Sequence, residues 1–341
     1  MGLRGWGKTK TFALSFYAFF FPIPQPLTPI PLLAQTGEQS RALVQRPKGQ
    51  PAFSAPPLSA EARRTLEERL REARARFEKN PRDAEAIIWL GRRTAYLGRF
   101  DEAIDIYTEG IRLHPQNPKL YRHRGHRYIT VRRFDLAVKD LERAAKLVAD
   151  KPDEIEPDGL PNARGIPTST TNSNIFYHLG LAHYLRGDFK RALRAYRECL
   201  KFSTNPDMLS ATLHWLYMTL RRLGRVSEAE LVLRLVRDDA DIIENREYHR
   251  LLLMYKGVLS PETLLTEASR RMSELSFPST AYGVGNWYLY NKRRAEALPV
   301  FLKIMESQQQ TSFGYIAAEA DLKRLGITDF PRSPLPTKAL Y

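Results

Sequence analysis

Apolar residues recur at helical spacing along most of this chain. Residues 60–79 carry an apolar stripe that ends at Asn80-Pro81, which predicts an amphipathic helix. Residues 312–326 carry a second stripe, followed by a tail, 327–341, in which prolines recur. We expect 58–82 to cap the start of the fold and 312–326 to cover its end. The stripe residues are Leu66, Leu70, Ala73 and Phe77 in the first segment and Phe313, Ile316, Ala317, Ala320, Leu322 and Leu325 in the second.

Between these segments the chain repeats with a period of 34 residues. Small residues alternate with large apolar ones at spacings that let two helices pack closely. We predict two units in residues 84–151 and four more in 173–311. Unit five, 244–277, keeps the length but loses nearly every signature residue, although Ser260-Pro261-Glu262 still predicts a helix start. Unit one illustrates the pattern with Leu90, Gly91, Gly98, Ala103, Tyr107, Gly110 and Pro115, and unit three with Leu179, Gly180, Gly187, Ala192, Tyr196 and Cys199.

This pattern resembles the tetratricopeptide repeat. The resemblance covers about residues 60–326 and departs from the family in unit four, where Tyr217 replaces a small residue. It implies an all-α fold, a right-handed superhelical solenoid of antiparallel helix pairs forming one elongated domain. It also implies a non-catalytic scaffold whose concave groove binds a protein or peptide.

In that family the first helix of each unit contributes side chains to the groove. The corresponding positions here are rich in aromatic and basic residues, which suit an extended peptide because guanidinium groups can pair with carboxylates and rings supply contact area. A solvated helix face without a ligand is the alternative interpretation. The carboxylate clamp of some family members is not reproduced, because His123 and His178 stand at two of its positions. The predicted groove residues are Arg92, Tyr96, Arg122, Arg124, His126, Tyr177, Tyr184, His214, Arg221, Tyr282, Asn286 and Tyr290.

Residues 152–172 interrupt the period between units two and three; we call them the insertion. They combine four prolines with acidic residues, so no regular element is expected there. We expect the insertion to act as a lid or wedge at the groove. Its acids could pair with the basic residues of unit two, or leave those residues free for an external anion. The acids are Asp153, Glu154, Glu156 and Asp158.

Charge adds a second candidate function. The chain holds 53 Lys and Arg against 38 Asp and Glu, a net charge of +15, and much of this excess lies in unit two around 122–127. Such a patch could bind cell-wall polymer or acidic lipid, making the protein an anion-binding envelope module. The export signal described next argues against nucleic acid as the partner.

The first 34 residues have the order of a secretory signal, with positive charges before an apolar stretch that prolines interrupt. We expect cleavage after Ala34, followed by a flexible linker, 35–57, rich in Pro and Gln. Export would place the protein in the periplasm, the cell envelope or outside the cell. Membrane association is expected only if the signal remains uncleaved.

Catalytic and cofactor chemistry find no support in the sequence. The single cysteine, Cys199, falls at a small packing position, and a phosphate-binding loop, dinucleotide fingerprint or nucleophile elbow is absent. His123 and His126 lie three residues apart, but neither a HExxH motif nor a carboxylate at ligand spacing accompanies them. We therefore expect neither enzymatic activity nor a metal or cofactor.

Overall fold

The computed structural model describes residues 58–330, and all regular structure in this range is α-helical apart from one antiparallel bridge between Ile155 and Thr170. The all-α prediction is confirmed. The expected signal 1–34, the linker 35–57 and residues 331–341 of the tail lie outside the described residues. The helices are α1 (Ala60–Lys79), α2 (Ala84–Tyr96), α3 (Phe100–Leu113), α4 (Pro118–Thr130), α5 (Phe134–Val148), α6 (Thr171–Leu185), α7 (Phe189–Lys201), α8 (Pro206–Arg222), α9 (Val226–Leu233), α10 (Arg246–Tyr255), α11 (Pro261–Ser269), α12 (Ser276–Tyr290), α13 (Arg294–Met305) and α14 (Phe313–Arg324).

The helices form a solenoid of successive pairs. In the pairs α2/α3, α4/α5, α6/α7, α8/α9 and α12/α13 the two helices pack on each other, and α1 packs on α2. The fifth unit differs, since its short helices α10 and α11 both pack on α12. Ser260 caps α11 as predicted, because its hydroxyl accepts a hydrogen bond from the backbone N–H of Thr263 at 3.0 Å.

Glycine at the small positions allows the close helix approach. A methyl group built on Gly91 would lie 2.4 Å from the Tyr107 ring, and one on Gly180 would lie 2.7 Å from the Tyr196 ring. Both tyrosines are buried. Any larger residue at these glycines would push the two helices of its pair apart.

Glycine also ends the first helix of several units in the left-handed conformation, with φ of 78° at Gly98 and 81° at Gly187. In unit two the chain reaches the left-handed region at Arg132, with φ of 61°. A side chain in this conformation costs roughly 1 kcal/mol or more, so its presence requires a compensating interaction.

Candidate functional site

The side chains predicted to line the groove lie on α2, α4, α6, α8 and α12, and we call the surface they form the inner surface. Most of them are buried. Two segments of the chain itself cover part of this surface: the insertion and the C-terminal helix α14. Seven of the predicted residues are buried, namely Arg92, Arg122, Tyr177, Tyr184, His214, Tyr282 and Asn286, and Tyr96, Arg124, His126, Arg221 and Tyr290 are partly buried.

The insertion lies against α2 through backbone contacts. The Arg92 guanidinium donates a hydrogen bond to the carbonyl of Pro157 at 2.8 Å, and that of Arg93 donates to the carbonyl of Gly159 at 2.5 Å. Gly159 sits directly on Tyr96, where an added methyl group would lie 1.5 Å from the phenolic oxygen. Only glycine fits at this point, so the insertion is held close to α2.

The insertion lies against α4 through carboxylates. Glu156 pairs with Arg122 at 2.9 Å, and both side chains are buried. Glu154 pairs with Lys119 at 2.9 Å but remains largely exposed. Successive side chains of an extended segment point to opposite sides, so both glutamates face α4 while Ile155 between them is 67% exposed. The predicted return of the acidic residues onto unit two is confirmed for these two glutamates.

The prediction is wrong for the other two acids of the insertion. Asp153 instead accepts a hydrogen bond from the backbone N–H of Asn172 at 3.0 Å, and Asn172 lies in the first turn of α6. Asp158 has no ion pair within residues 58–330. Burial, followed by the nearby charge of Glu244, raises the pKa of Asp158.

The far end of the insertion reaches the loop between α9 and α10. Arg164 donates two hydrogen bonds to Asp241, at 2.6 and 2.8 Å, and both side chains are largely exposed. The hydroxyl of Thr168 donates to Glu244 at 2.6 Å. The insertion therefore spans from units one and two to the loop that precedes unit five.

Helix α14 covers the other part of the inner surface. Its Asp321 is fully buried and accepts hydrogen bonds from Arg222 at 2.8 Å, from Arg324 at 2.7 Å and from the hydroxyl of Tyr282 at 2.8 Å. Burial alone would raise the pKa of Asp321. The charges and hydrogen bonds of Arg222 and Arg324 outweigh burial and hold that pKa below its ordinary value. Asp321 is therefore an ionised anchor between α14, α8 and α12.

Arg132 provides a second anchor for α14. This contact accounts for the left-handed backbone at Arg132 itself. Its guanidinium donates to Glu319 at 2.9 Å and to the carbonyl of Gln310 at 2.7 Å. Both Arg132 and Glu319 are almost fully buried. A hydrogen-bonded buried ion pair of this kind offsets the backbone strain at the turn between α4 and α5.

Aromatic rings fill the space between α4, α6 and the start of α14. The rings of His126 and His178 lie 4.4 Å apart, and Phe313 lies 5.5 and 5.7 Å from them. Burial, with the positive charge of Arg122 and Arg127, lowers the pKa of both histidines well below 6.5. They are neutral at pH 7 and act as packing groups. In the described part of the chain, no group of three or more His, Cys, Asp or Glu side chains could hold a metal ion.

Arg124 faces the second helix of its own pair. It donates two hydrogen bonds to Asp140 of α5, at 2.7 and 2.8 Å, and one to the hydroxyl of Thr108 at 3.0 Å. Its position on α4 therefore joins units one and two. With Arg122 and Arg124 both paired to carboxylates, the basic patch of unit two has much of its charge neutralised internally.

The predicted residues of units four and six form an aromatic and polar layer. Arg221 donates to the amide oxygen of Asn291 at 2.6 Å and lies 4.5 Å from the centre of the Tyr290 ring. His214 stacks on Tyr248 at 4.7 Å. Burial lowers the pKa of His214 to about 3. These groups connect α8 with α10 and α12.

Four residues that hold the covering segments were not predicted from the sequence, namely Arg93, Arg132, Glu319 and Asp321. A signal was present for the last two. Both acids lie between Ala318 and Leu322 in the apolar stripe of the final helix, and buried carboxylates require cationic partners.

The comparisons with known proteins concern the repeats. Residues 59–118 and residues 173–205 match two family models, each described as tetratricopeptide repeat. Among solved structures, YrrB, a TPR protein with an unusual peptide-binding site, is 16% identical, with 74% of this chain and 97% of that chain covered and a TM-score of 0.39. A MamA structure (AMB-1) is 19% identical, with 50% and 93% covered and a TM-score of 0.36. No curated protein matches the sequence. None of the described helices is both long and apolar enough to cross a membrane.

Proposed function

We propose that this tetratricopeptide-repeat protein is an exported, non-catalytic adaptor that binds a protein partner through its inner surface. The observation that supports the proposal is that this surface already binds two polypeptide segments. One is extended, the insertion, and one is helical, α14. Guanidinium groups of the inner surface contact carboxylates in both segments, as they would in a protein ligand.

The insertion is the segment that a partner would replace. Its large apolar side chains Ile155, Leu160 and Ile166 are all more than half exposed, so it contributes little to the hydrophobic core. Polar contacts with α2 and α4 hold it in place, and a ligand offering the same groups can exchange with them. The partner site would then consist of Arg92, Arg93, Lys119 and Arg122.

Affinity capture from cell-envelope extracts tests the adaptor proposal. An Arg92→Gln/Lys119→Gln variant is expected to lose a partner that the wild type retains. The matched control is Arg99→Gln/Arg112→Gln, which removes two exposed arginines from α3 and its N-cap and should retain the partner. Identical capture by all three proteins would contradict a partner site at α2 and α4.

Export is tested separately. The signal pattern of residues 1–34 supports it, and the mature protein recovered from the envelope fraction should begin at Gln35. N-terminal sequencing after cell fractionation gives the answer. An intact Met1 on protein found in the cytoplasm would rule export out without bearing on partner binding.

A further inference from the structure

We infer that the partner segment is extended and acidic, with two carboxylates two residues apart, and that the insertion occupies its site as a built-in competitor. This inference rests on the proposed function and adds the chemistry of the ligand. The motif is present in the insertion itself, as Glu154-Ile155-Glu156-Pro157.

The spacing of charges on α4 matches that motif. Lys119 and Arg122 are three residues apart on the helix and so lie on one face. Glu154 and Glu156 are two apart in an extended chain and so point to the same side. Each carboxylate finds one cation, at 2.9 Å in both cases. The residue between them faces away and is free to vary.

The neighbouring helix α2 binds the backbone that follows the two acids. Arg92 and Arg93 donate to the carbonyls of Pro157 and Gly159, contacts that any extended segment can provide. Trp89 orients both guanidinium groups, whose central carbons lie 4.4 and 4.8 Å from the centre of its ring. Affinity for the backbone thus comes from α2, and selection for acids comes from α4.

The insertion does not fully satisfy this site. Within residues 58–330, the Nε of Arg122 and the Oε2 of Glu156 are buried without hydrogen-bond partners. The guanidinium of Arg127, five residues further along α4, has neither an ion pair nor a hydrogen bond in the same part of the chain, and it lies over the Phe100 ring at 5.9 Å. Burial, together with the Arg122 charge, lowers the pKa of Arg127. A partner that supplies a better-placed carboxylate would compete with the tethered insertion.

A cleft of about 510 Å³ adjoins the site and gives such a segment room to enter. Its lining includes Lys119, Lys151, Glu154 and Thr171. The Thr171 hydroxyl is buried and without a hydrogen-bond partner among the described residues. It offers a donor to a ligand running from the cleft towards Arg122.

Peptide binding to the full chain tests the inference. The probe is a fluorescein-labelled peptide with the sequence of residues 152–160, and its matched control carries Gln in place of both glutamates. Gly159→Ala loosens the insertion without changing any charge, because the added methyl group cannot fit against Tyr96. We expect this variant to bind the acidic peptide about three- to fivefold more tightly than the wild type does, in fluorescence anisotropy. Ile155→Ala, which shortens an exposed side chain of the insertion and leaves its contacts with α2 and α4 in place, should behave as the wild type.

Two further measurements make the result decisive. The glutamine peptide should bind Gly159→Ala at least tenfold more weakly than the acidic peptide does, and adding Arg122→Gln should remove binding of the acidic peptide. Circular dichroism confirms that each variant is folded. Equal binding of both peptides, or no binding of either, by folded Gly159→Ala overturns the inference. A captured partner that depends on Arg92 and Lys119 but contains no acidic segment would overturn it while leaving the adaptor function intact.

Discussion

The insertion and helix α14 both cover the inner surface, but they are held by different forces. The insertion binds through carbonyl groups and carboxylates, and its apolar side chains face solvent. Helix α14 contributes Tyr315, Ile316 and Leu322 to the hydrophobic core and adds two buried ion pairs. Water cannot replace the contacts of a buried apolar side chain, whereas water or a ligand can replace a polar contact at a small net cost in free energy. The comparison therefore separates a permanent element of the fold from a replaceable one.

The largest difference should appear between two aspartates that each bind an arginine in the same two-pronged manner. Asp321→Ala in α14 leaves Arg222 buried without its carboxylate, which should lower the free energy of unfolding by about 3–5 kcal/mol. Asp241→Ala removes the equivalent partner of Arg164 at a largely exposed pair and should leave the free energy of unfolding unchanged. Urea denaturation followed by circular dichroism measures both. Similar losses in the two variants would mean that the two segments are held alike.

A second matched pair compares two isoleucines. Ile316 of α14 is 1% exposed, and Ile316→Ala should cost about 2–5 kcal/mol through lost burial and the cavity it leaves. Ile155 of the insertion is 67% exposed, and Ile155→Ala should stay within about 0.5 kcal/mol of the wild type. The same denaturation assay applies. A clear loss of stability in the second variant would show that Ile155 packs on the protein in solution.

A third pair compares two glycines that contact other parts of the chain. A methyl group on Gly314 would lie 2.2 Å from the backbone carbonyl oxygen of Pro278, which cannot move aside, so Gly314→Ala should cost about 1–3 kcal/mol. Gly159→Ala should cost less than about 1 kcal/mol, because the insertion can move away from Tyr96. Amide hydrogen exchange would detect that movement as faster exchange confined to residues 153–170. Unchanged exchange there would contradict a replaceable insertion.

The last prediction concerns how stability depends on pH through the two histidines that contact Phe313 of α14. His126 and His178 have pKa values well below 6.5 in the folded protein, so the unfolded chain takes up protons first as the pH falls. Stability should decrease from about pH 6.5 downwards, by roughly 1 kcal/mol per pH unit for each histidine, until the folded-state pKa is reached. His126→Phe retains the ring and should show a shallower decrease between pH 7.5 and 5.5. Equal slopes would assign the pH dependence to other groups.

The sequence predicts the helix pairs well because they depend on local spacing. Gly91 and Gly180 fall where Tyr107 and Tyr196 require a small neighbour, and Ser260 begins a helix even in the degenerate unit. These are interactions within one repeat, or between a side chain and the adjacent backbone, and a 34-residue period is sufficient to reveal them.

The covering of the inner surface is different. The helical register correctly places Arg92 and Arg122 on the first helices, but it does not reveal what binds them. Arg132 and Glu319 are 187 positions apart, and no periodicity connects them. A repeat pattern describes neighbours, so contacts that bridge distant repeats are outside its reach. The acids of the final helix indicate a need for partners without identifying which arginines supply them.

The pairing of Arg132 with Glu319 also bears on how the chain acquires its structure. Repeat arrays commonly fold outwards from any unit, since each repeat contacts only its neighbours. Here Arg132 of unit two and Arg222 of unit four receive their carboxylates only after α14 has been synthesised. Contacts of such high sequence separation slow folding, because the loop entropy must be lost before the contact forms. A nascent chain therefore leaves the α14-facing part of its inner surface uncovered until α14 has been synthesised, and truncation before α14 would leave that part exposed.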